Sequence, residues 1–152
     1  MKEEDRIIGY IENGIVIDHI PIGKVWKIAE ILGVTRERKG RVSLGDGYES
    51  KKIGKKGVIK IEDVNLDDYQ LNLIALIAKD ASVSIIKNGS VVEKIKAVIP
   101  DILKGIILCP NLNCITNDSH EKIVPVIYYN TQKGFKCYFC SREFKDNEIN
   151  FL

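Results

Sequence analysis

Apolar residues alternate or run in short clusters over the first two thirds of the chain and thin to scattered anchors in the last third. Ile7, Ile8 and Ile11 precede Glu12-Asn13-Gly14, and Ile15-Val16-Ile17 follow, which reads as a hairpin over residues 7–20 ended by Pro21. Asn-Gly suits the tight turn because both turn positions need positive φ. The period then changes. Val25, Ile28, Ala29 and Leu32 fall at i, i+3, i+4 and i+7, with Lys24, Lys27 and Glu30 off the stripe, so a helix is expected over residues 23–32 with Gly33 as its C-terminal cap. Trp26, at helical spacing, is expected to be buried packing rather than a stacking platform.

Residues 41–45 make a short strand candidate, and the Gly- and Lys-rich residues 45–52 read as a mobile loop. From Val58 the chain alternates, placing Lys60 and Glu62 on one face and Ile59 and Ile61 on the other. A second helix starts at Asp67. Gln70 completes a capping box, Leu66 and Leu71 form a hydrophobic staple, and Leu71, Ile74, Ala75 and Ala78 line one face. Two further strands, residues 83–86 and 91–95, flank Lys87-Asn88-Gly89-Ser90, a second Asn-Gly hairpin.

The order β-β-α-β-β-α-β-β contains the β-α-β-β-α-β succession of a ferredoxin-like sandwich. The expected class is α+β: an antiparallel sheet with two helices on one face, then a small all-β metal-binding domain. The divisions are a first domain over residues 1–98, a linker over 99–104 around Pro100, and a second domain over 105–152.

Four cysteines decide how the last third is read. Cys109 and Cys114 form a C-x4-C pair, Cys137 and Cys140 a C-x2-C pair, with 22 residues between and no other cysteine in the chain. Two close pairs across a loop-sized gap suit one tetrahedral Zn²⁺ with four sulfur ligands. The competing reading, two disulfides, needs an oxidising compartment. The charged opening Met1-Lys2-Glu3-Glu4-Asp5-Arg6 is no export signal and no apolar run nears the roughly 20 residues of a membrane span, so a cytoplasmic chain is expected. Four thiolates leave no position for water, which makes the zinc structural, one per chain. About 50 residues is also a size at which an apolar core alone is marginal.

Net charge is +2, but its distribution says more. Residues 101–152 carry six basic and six acidic residues; residues 36–60 carry nine basic against three acidic. A zinc ribbon gripping nucleic acid needs excess positive charge for the phosphates. The neutral cysteine-bearing segment argues against that alternative. No nucleophile elbow, phosphate loop or His/Glu metal motif is present, and the two histidines, His19 and His120, stand 101 residues apart. His120 is expected in a loop and Tyr128-Tyr129 in a strand of the second domain. The catalytic inventory is poor.

A second constellation is Asp18-His19 at a strand end with Lys56, Lys60 and Lys94 on or beside other strands. Spacing alone favours solvated lysines and a histidine satisfied near a turn. The fold favours something else: strand residues converging on one sheet edge bring ammonium groups around a polyphosphate, while a carboxylate accepts from ribose hydroxyls.

Three stretches carry a family resemblance: Val16-Ile17-Asp18-His19-Ile20-Pro21, Ile59-Lys60-Ile61-Glu62, and Cys109-Pro110-Asn111-Leu112-Asn113-Cys114-Ile115 with Cys137-Tyr138-Phe139-Cys140. In this order and at these intervals they resemble the regulatory chain of aspartate carbamoyltransferase, along essentially the whole chain. The resemblance implies a non-catalytic subunit in pyrimidine biosynthesis. Its first domain binds nucleoside triphosphates, with ATP activating and CTP inhibiting, the latter often with UTP. Its zinc domain docks on the catalytic chain. Regulatory chains pair through their first domains, and two catalytic trimers join three regulatory dimers in a dodecamer. Neither nucleic acid nor membrane is an implied partner.

By that resemblance Asp18 and Lys60 contact ribose and base, His19 and Lys94 contact phosphates with Lys56 beside them, and Ile11 with the segment from Ile86 to Val91 frames the base. Asn111, Asn113 and Arg142 match positions facing the catalytic chain. Two departures lie near the base: Gly9-Tyr10 stands where better-known bacterial members carry Glu-Ala, and Gly89 where they carry an aromatic residue.

Overall fold

The computed structural model describes residues 10–34 and 40–152. The chain divides into two units, Met1–Val98 and Ile99–Leu152, each with its own sheet. In the first, β1 (Gly14–Pro21) leads to α1 (Val25–Ile31), β2 (Val42–Ser50), β3 (Gly54–Glu62), α2 (Asp68–Ile77), β4 (Ser82–Lys87) and β5 (Ser90–Lys96). The sheet runs β2-β3-β1-β4-β5 and every neighbouring pair is antiparallel. Leaving β5 aside, this is the interleaved order of a ferredoxin-like sandwich. The α+β expectation holds.

Alternation along the strands separates two faces. Ile15, Ile17, Ile59, Ile61 and Val83 are at most 1% exposed. They meet Val25 and Ile28 of α1 and Ile74 and Ala75 of α2, all fully buried. Val25 packs against β3 at Gly57, where an added Cβ would stand 3.1 Å from it. The capping box on α2 is present in full: Gln70 N donates to Asp67 Oδ1 at 2.7 Å, and Asp67 N donates to Gln70 Oε1 at 3.1 Å. The β4–β5 turn has Asn88 at φ 50 and Gly89 at φ 78, the backbone that Asn-Gly favours.

Three expectations for this unit change. Trp26 is 62% exposed, not packed in the core. It follows Val25 by one residue, about 100° around the helix and off the stripe that faces the sheet. Residues 45–50 are not a mobile loop but the second half of β2, paired with β3 through Tyr48↔Lys56, Glu49↔Lys55 and Ser50↔Gly54. Only Lys51, Lys52 and Ile53 make the turn. Ile7 and Ile8 of the expected first hairpin lie outside the described residues. Within them, Ile11 to Asn13 are not strand and Gly14 is the first residue of β1. Gly14 is needed there for close approach, since a Cβ would collide with the Ile61 carbonyl oxygen across the sheet.

The second unit holds β6 (Ile102–Lys104), β7 (Val126–Asn130), β8 (Gly134–Cys137) and β9 (Glu143–Phe144), antiparallel in that order. Residues 102–104, expected as linker, are thus a strand of this sheet. Leu103, Ile127, Phe135 and Phe144 fill its core, at most 3% exposed, with Phe135 and Phe144 stacked at 5.4 Å. Tyr128 and Tyr129 lie in β7, and His120 is exposed in a loop as expected. No helix among the described residues is long and apolar enough to cross a membrane.

Candidate functional site

The sheet face away from the helices is polar. Cross-strand pairing lines up Ser43, Lys60, Val16, Ser84 and Lys94 as one row across all five strands. Strands stand about 4.8 Å apart, so the Cα atoms of Lys60 and Lys94, three strands distant, are about 14 Å apart. That span suits an elongated ligand better than a single phosphate. Lys60 is 5% exposed and Lys94 exposed. Lys96, next outward on β5, is tied to Asp80 at 3.5 Å.

One strand spacing inward from Ser82, β1 is irregular. Its register against β3 shifts between Ile17 and Ile20, so Asp18 and His19 together occupy the place opposite one residue. His19 takes a left-handed backbone, φ 59, which His adopts more readily than β-branched residues. The bulge turns both side chains into the same neighbourhood. His19 N donates to Asp18 Oδ1 at 2.6 Å, and Lys56 Nζ lies 3.0 Å from Oδ1 and 3.2 Å from Oδ2. The Lys56 side chain is 7% exposed and that of Asp18 28%, so this pair is shielded from water more than a surface pair. His19 Nδ1 is 3.2 Å from Ser82 Oγ.

Electrostatics tie the lysines to this bulge. Burial pushes His19 below its ordinary 6.5; Asp18 opposes the fall, and the charges of Lys56, Lys52 and Lys94 add to it. Cations therefore outnumber the single carboxylate at this place. Ser82 and His19 form a hydroxyl–imidazole contact, but among the described residues no third group is hydrogen-bonded to the imidazole to orient it as a base. The arrangement is equipped to bind an anion, not to transform one.

The hydrophobic end lies at the β4–β5 turn. Ile11 and Ile86 are buried, whereas Val91, paired with Ile86, is 58% exposed. Glu12 O accepts from Gly89 N at 2.9 Å and Asn13 Oδ1 from Asn88 N at 3.2 Å, holding residues 12–13 beside the turn. Tyr10 lies across Gly89: its hydroxyl takes the space a Cβ there would need. The aromatic residue absent at position 89 is thus matched by one arriving from the facing segment.

In the second unit, the donor sulfurs of Cys109, Cys114, Cys137 and Cys140 all lie within 4.8 Å of one another. Cys109 and Cys140 are 3.5 Å apart and Cys114 and Cys137 3.8 Å, with all four free of disulfides. A tetrahedron of sulfurs about 2.3 Å from a central ion has edges of about 3.8 Å. The set fits a tetrahedral metal.

Backbone and side chains hold the sulfurs there. Cys114 N donates to Asn111 O at 3.0 Å, and Asn117 Nδ2 donates to Cys109 O at 2.9 Å and Asn111 O at 2.7 Å. Thr116 Oγ1 donates to Cys114 Sγ at 3.1 Å. On the other arm, Cys137 N donates to Arg142 O at 2.9 Å, and Ser141, φ 63, returns its N–H to Cys137 O at 3.0 Å. Burial raises the Cys109 and Cys137 pKa values. Burial also pushes Cys140 up, but the Arg142 N–H, the Asn111 side chain and the neighbouring thiols bring it down to about 7. Four thiolates so close repel one another, and a divalent cation removes the conflict.

The first unit coincides with a known family. Residues 6–98 match the aspartate carbamoyltransferase regulatory chain, allosteric domain, and residues 101–150 the metal binding domain of the same chain. This chain belongs to that family. Relatives named aspartate carbamoyltransferase regulatory chain include one from Thermococcus kodakarensis, 40% identical over 148 residues, 96% of each chain. Another, from Sulfolobus acidocaldarius, is 39% identical over 150 residues, 97% of this chain and 91% of its own. One from Porphyromonas gingivalis is 38% identical over 152 residues and the whole of both chains.

The chain is therefore a regulatory, non-catalytic subunit with an allosteric and a metal-binding domain, and its partner is the catalytic chain. The expected contact residues of the metal-binding domain are spread around the two cysteine pairs. Asn111 is half-buried, with Oδ1 accepting from Asn113 N at 3.0 Å; Asn113 is exposed; Arg142 is exposed and pairs with Glu148 at 3.2 Å. In the allosteric domain, the sequence singled out neither Lys52 nor Ser82, and it placed Gly9-Tyr10 near the base without showing what Tyr10 touches. Lys52 was hidden by the loop expectation for residues 45–52. Ser82 and Tyr10 gain meaning only from strand register and from the empty space at Gly89.

Proposed function

We propose that the polar face of the first sheet binds a nucleoside triphosphate and that its occupancy sets the activity of catalytic trimers, with CTP and UTP inhibiting and ATP activating. Asp18 and Lys60 hold ribose and base, His19, Lys56 and Lys94 the phosphates, and Ile11, Ile86 and Val91 frame the base. The observation that carries this reading is the Asp18-His19 bulge, where Lys56 pairs with Asp18 and the charge of Lys94 reaches His19, beside a row spanning the sheet. A polyphosphate meets the cations, and lone pairs left on Asp18 accept from sugar hydroxyls.

The metal is zinc, one per chain, held by Cys109, Cys114, Cys137 and Cys140 in a structural role. It fixes the loops that bring Asn111, Asn113 and Arg142 to the catalytic chain. Regulatory dimers formed through the allosteric domains join two catalytic trimers into a dodecamer in the cytoplasm, where thiols stay reduced. Regulation is linkage: a nucleotide that prefers one quaternary state shifts the assembly by no more than its differential affinity, typically about 1–3 kcal/mol.

Lys60→Ala and Lys94→Ala are expected to abolish nucleotide effects on activity and weaken CTP binding in calorimetry, while assembly with catalytic trimers persists. Unchanged CTP affinity in both variants would show that the site lies elsewhere.

A further inference from the structure

The four thiols of the second unit are alike in chemistry but not in place. Cys109, Cys114 and Cys137 are at most 3% exposed, whereas Cys140 is only half-buried. Two close sulfur contacts, Cys109 to Cys140 at 3.5 Å and Cys114 to Cys137 at 3.8 Å, each run from one cysteine arm to the other. The second pair is the better guarded. Both of its members are buried, and Thr116 Oγ1 donates to Cys114 Sγ at 3.1 Å. Cys137 is also held in the sheet, as the last residue of β8 paired with Ile127. Cys109 and Cys140 lie in no strand.

This asymmetry decides what an oxidant does. Zn²⁺ has no redox change to offer, so an oxidant meeting such a site takes electrons from sulfur. It takes them first from the thiolate it can reach, which is Cys140. The sulfurs of a disulfide stand about 2.0 Å apart, so Cys109 and Cys140 have about 1.5 Å to close. Closing that gap breaks no strand pairing. Joining Cys114 to Cys137 instead pulls on the end of β8 and on the Thr116 hydrogen bond.

We propose that Cys140 is an oxidation site with Cys109 as its resolving partner, so that hydrogen peroxide converts this pair to one disulfide and releases the metal. The Cys140 thiolate attacks one peroxide oxygen and becomes a sulfenic acid as hydroxide leaves. The Cys109 thiolate then attacks the Cys140 sulfur and displaces a second hydroxide. Two thiolates, one peroxide and two protons thus give one disulfide and two waters. Cys114 and Cys137 remain as thiols, two ligands where a closed tetrahedral site takes four. The link ties the two arms together while the metal is absent, so reduction in the presence of zinc restores the original set. The consequence falls on the neighbouring surface. Asn111 and Arg142 each lie two residues from a member of the pair, and both hydrogen-bond to Cys140. On the docking reading above, on which this consequence rests, oxidation withdraws the regulatory chain from the catalytic trimer and frees the enzyme from nucleotide control.

The test exposes the full, zinc-loaded chain to increasing amounts of hydrogen peroxide. Unreacted thiols are alkylated, the link is located by tandem mass spectrometry, and a chromophoric chelator reads the free zinc. Cys109–Cys140 is expected as the first disulfide, with one zinc released for each link and with Cys114 and Cys137 alkylated. The linked chain is expected to lose co-elution with the catalytic trimer and to regain it after treatment with a thiol reductant and zinc. A first disulfide that includes Cys114 or Cys137 overturns the assignment. Zinc loss ahead of any disulfide also overturns it, as does a chain left intact by peroxide that oxidises a small free thiol. A Cys109–Cys140 chain that still co-elutes overturns the loss of docking. An untreated zinc-loaded chain that fails to co-elute overturns the docking reading instead, and the mapping still decides the disulfide.

Discussion

Removing the metal from the second unit separates the stabilities of the two halves of the chain. A natural domain is stabilised by roughly 0.05–0.15 kcal/mol per residue, so about 50 residues carry about 3–8 kcal/mol. A structural tetrahedral zinc contributes about 10–16 kcal/mol of binding free energy that is also folding free energy. The metal term exceeds the whole margin. Nothing else in this unit replaces it: β9 has two residues, β6 has three, and Cys109, Cys114 and Cys137 occupy interior positions at no more than 3% exposure. Chelation, or Cys114→Ser, is therefore expected to unfold the chain from about residue 105 onward. The first unit, whose core contains none of the cysteines, stays folded. Hydrogen exchange reads this directly. The amides of Tyr129, Cys137 and Tyr138, which donate to the carbonyl oxygens of Asp101, Arg142 and Val126 within this unit, should lose protection, while those of Ile15, Ile17 and Ile59 keep it. Association with catalytic trimers should be lost in the same samples. Retained protection across β7–β8 in protein shown to be metal-free would refute the reasoning, as would a metal-free chain that still co-elutes with the catalytic trimer.

Two further outcomes are expected. A polyphosphate added beside His19 should raise a pKa that burial and the lysine charges now hold below 6.5, so binding takes up a proton and CTP affinity climbs as pH falls toward 6.5 and below. Calorimetry in buffers of different ionisation enthalpy measures that uptake, and His19→Gln should abolish it; an uptake unchanged in the variant would locate the proton elsewhere. In denaturant titration, Ile28→Ala should cost about 2–5 kcal/mol and Trp26→Ala less than about 1, although the tryptophan is far larger, because Ile28 is fully buried and Trp26 is 62% exposed.

Features set by neighbouring residues were legible in the sequence. The Asp67–Gln70 capping box, the Asn88-Gly89 turn and the two cysteine pairs involve partners a few positions apart, or a metal chemistry with its own spacing rule. Features set by pairing between distant strands were not. Residues 45–50 have a loop-like composition, but hydrogen bonding to β3 overrides it, and an edge strand tolerates glycine and charge that a central one would not. Pro100 suggested an extended connection, yet Leu103 is fully buried and Ile102–Lys104 pair with β7. Trp26 was expected in the core at helical spacing; its angular position one residue from Val25 places it outside. At the site, Asp18, His19, Lys56, Lys60 and Lys94 could be named, while the bulge that joins the first three could not. It is a register shift against β3, sixty-odd positions from the hairpin that completes the far side of the sheet.

The charge arrangement also bears on how such a site can signal. In the free chain Lys56 is held by Asp18 and His19 is kept toward its neutral form, while Lys52 and Lys94 have no carboxylate beside them among the described residues. The face is thus preorganised in its backbone but unbalanced in its charge. On the proposed reading a polyphosphate corrects the imbalance, and CTP and ATP carry the same polyphosphate. Contacts common to both cannot by themselves give effects of opposite sign, because only a difference in affinity between states shifts an equilibrium. The signal must come from the end of the ligand that differs between nucleotides, the base, near Ile11, Ile86 and the Tyr10–Gly89 contact. Variants along the phosphate end should therefore weaken or abolish the nucleotide effect without reversing its sign. A change of sign, from inhibition to activation, is expected only from substitutions at the base end, and enzyme assays of the assembled complex at saturating CTP and ATP distinguish the two classes.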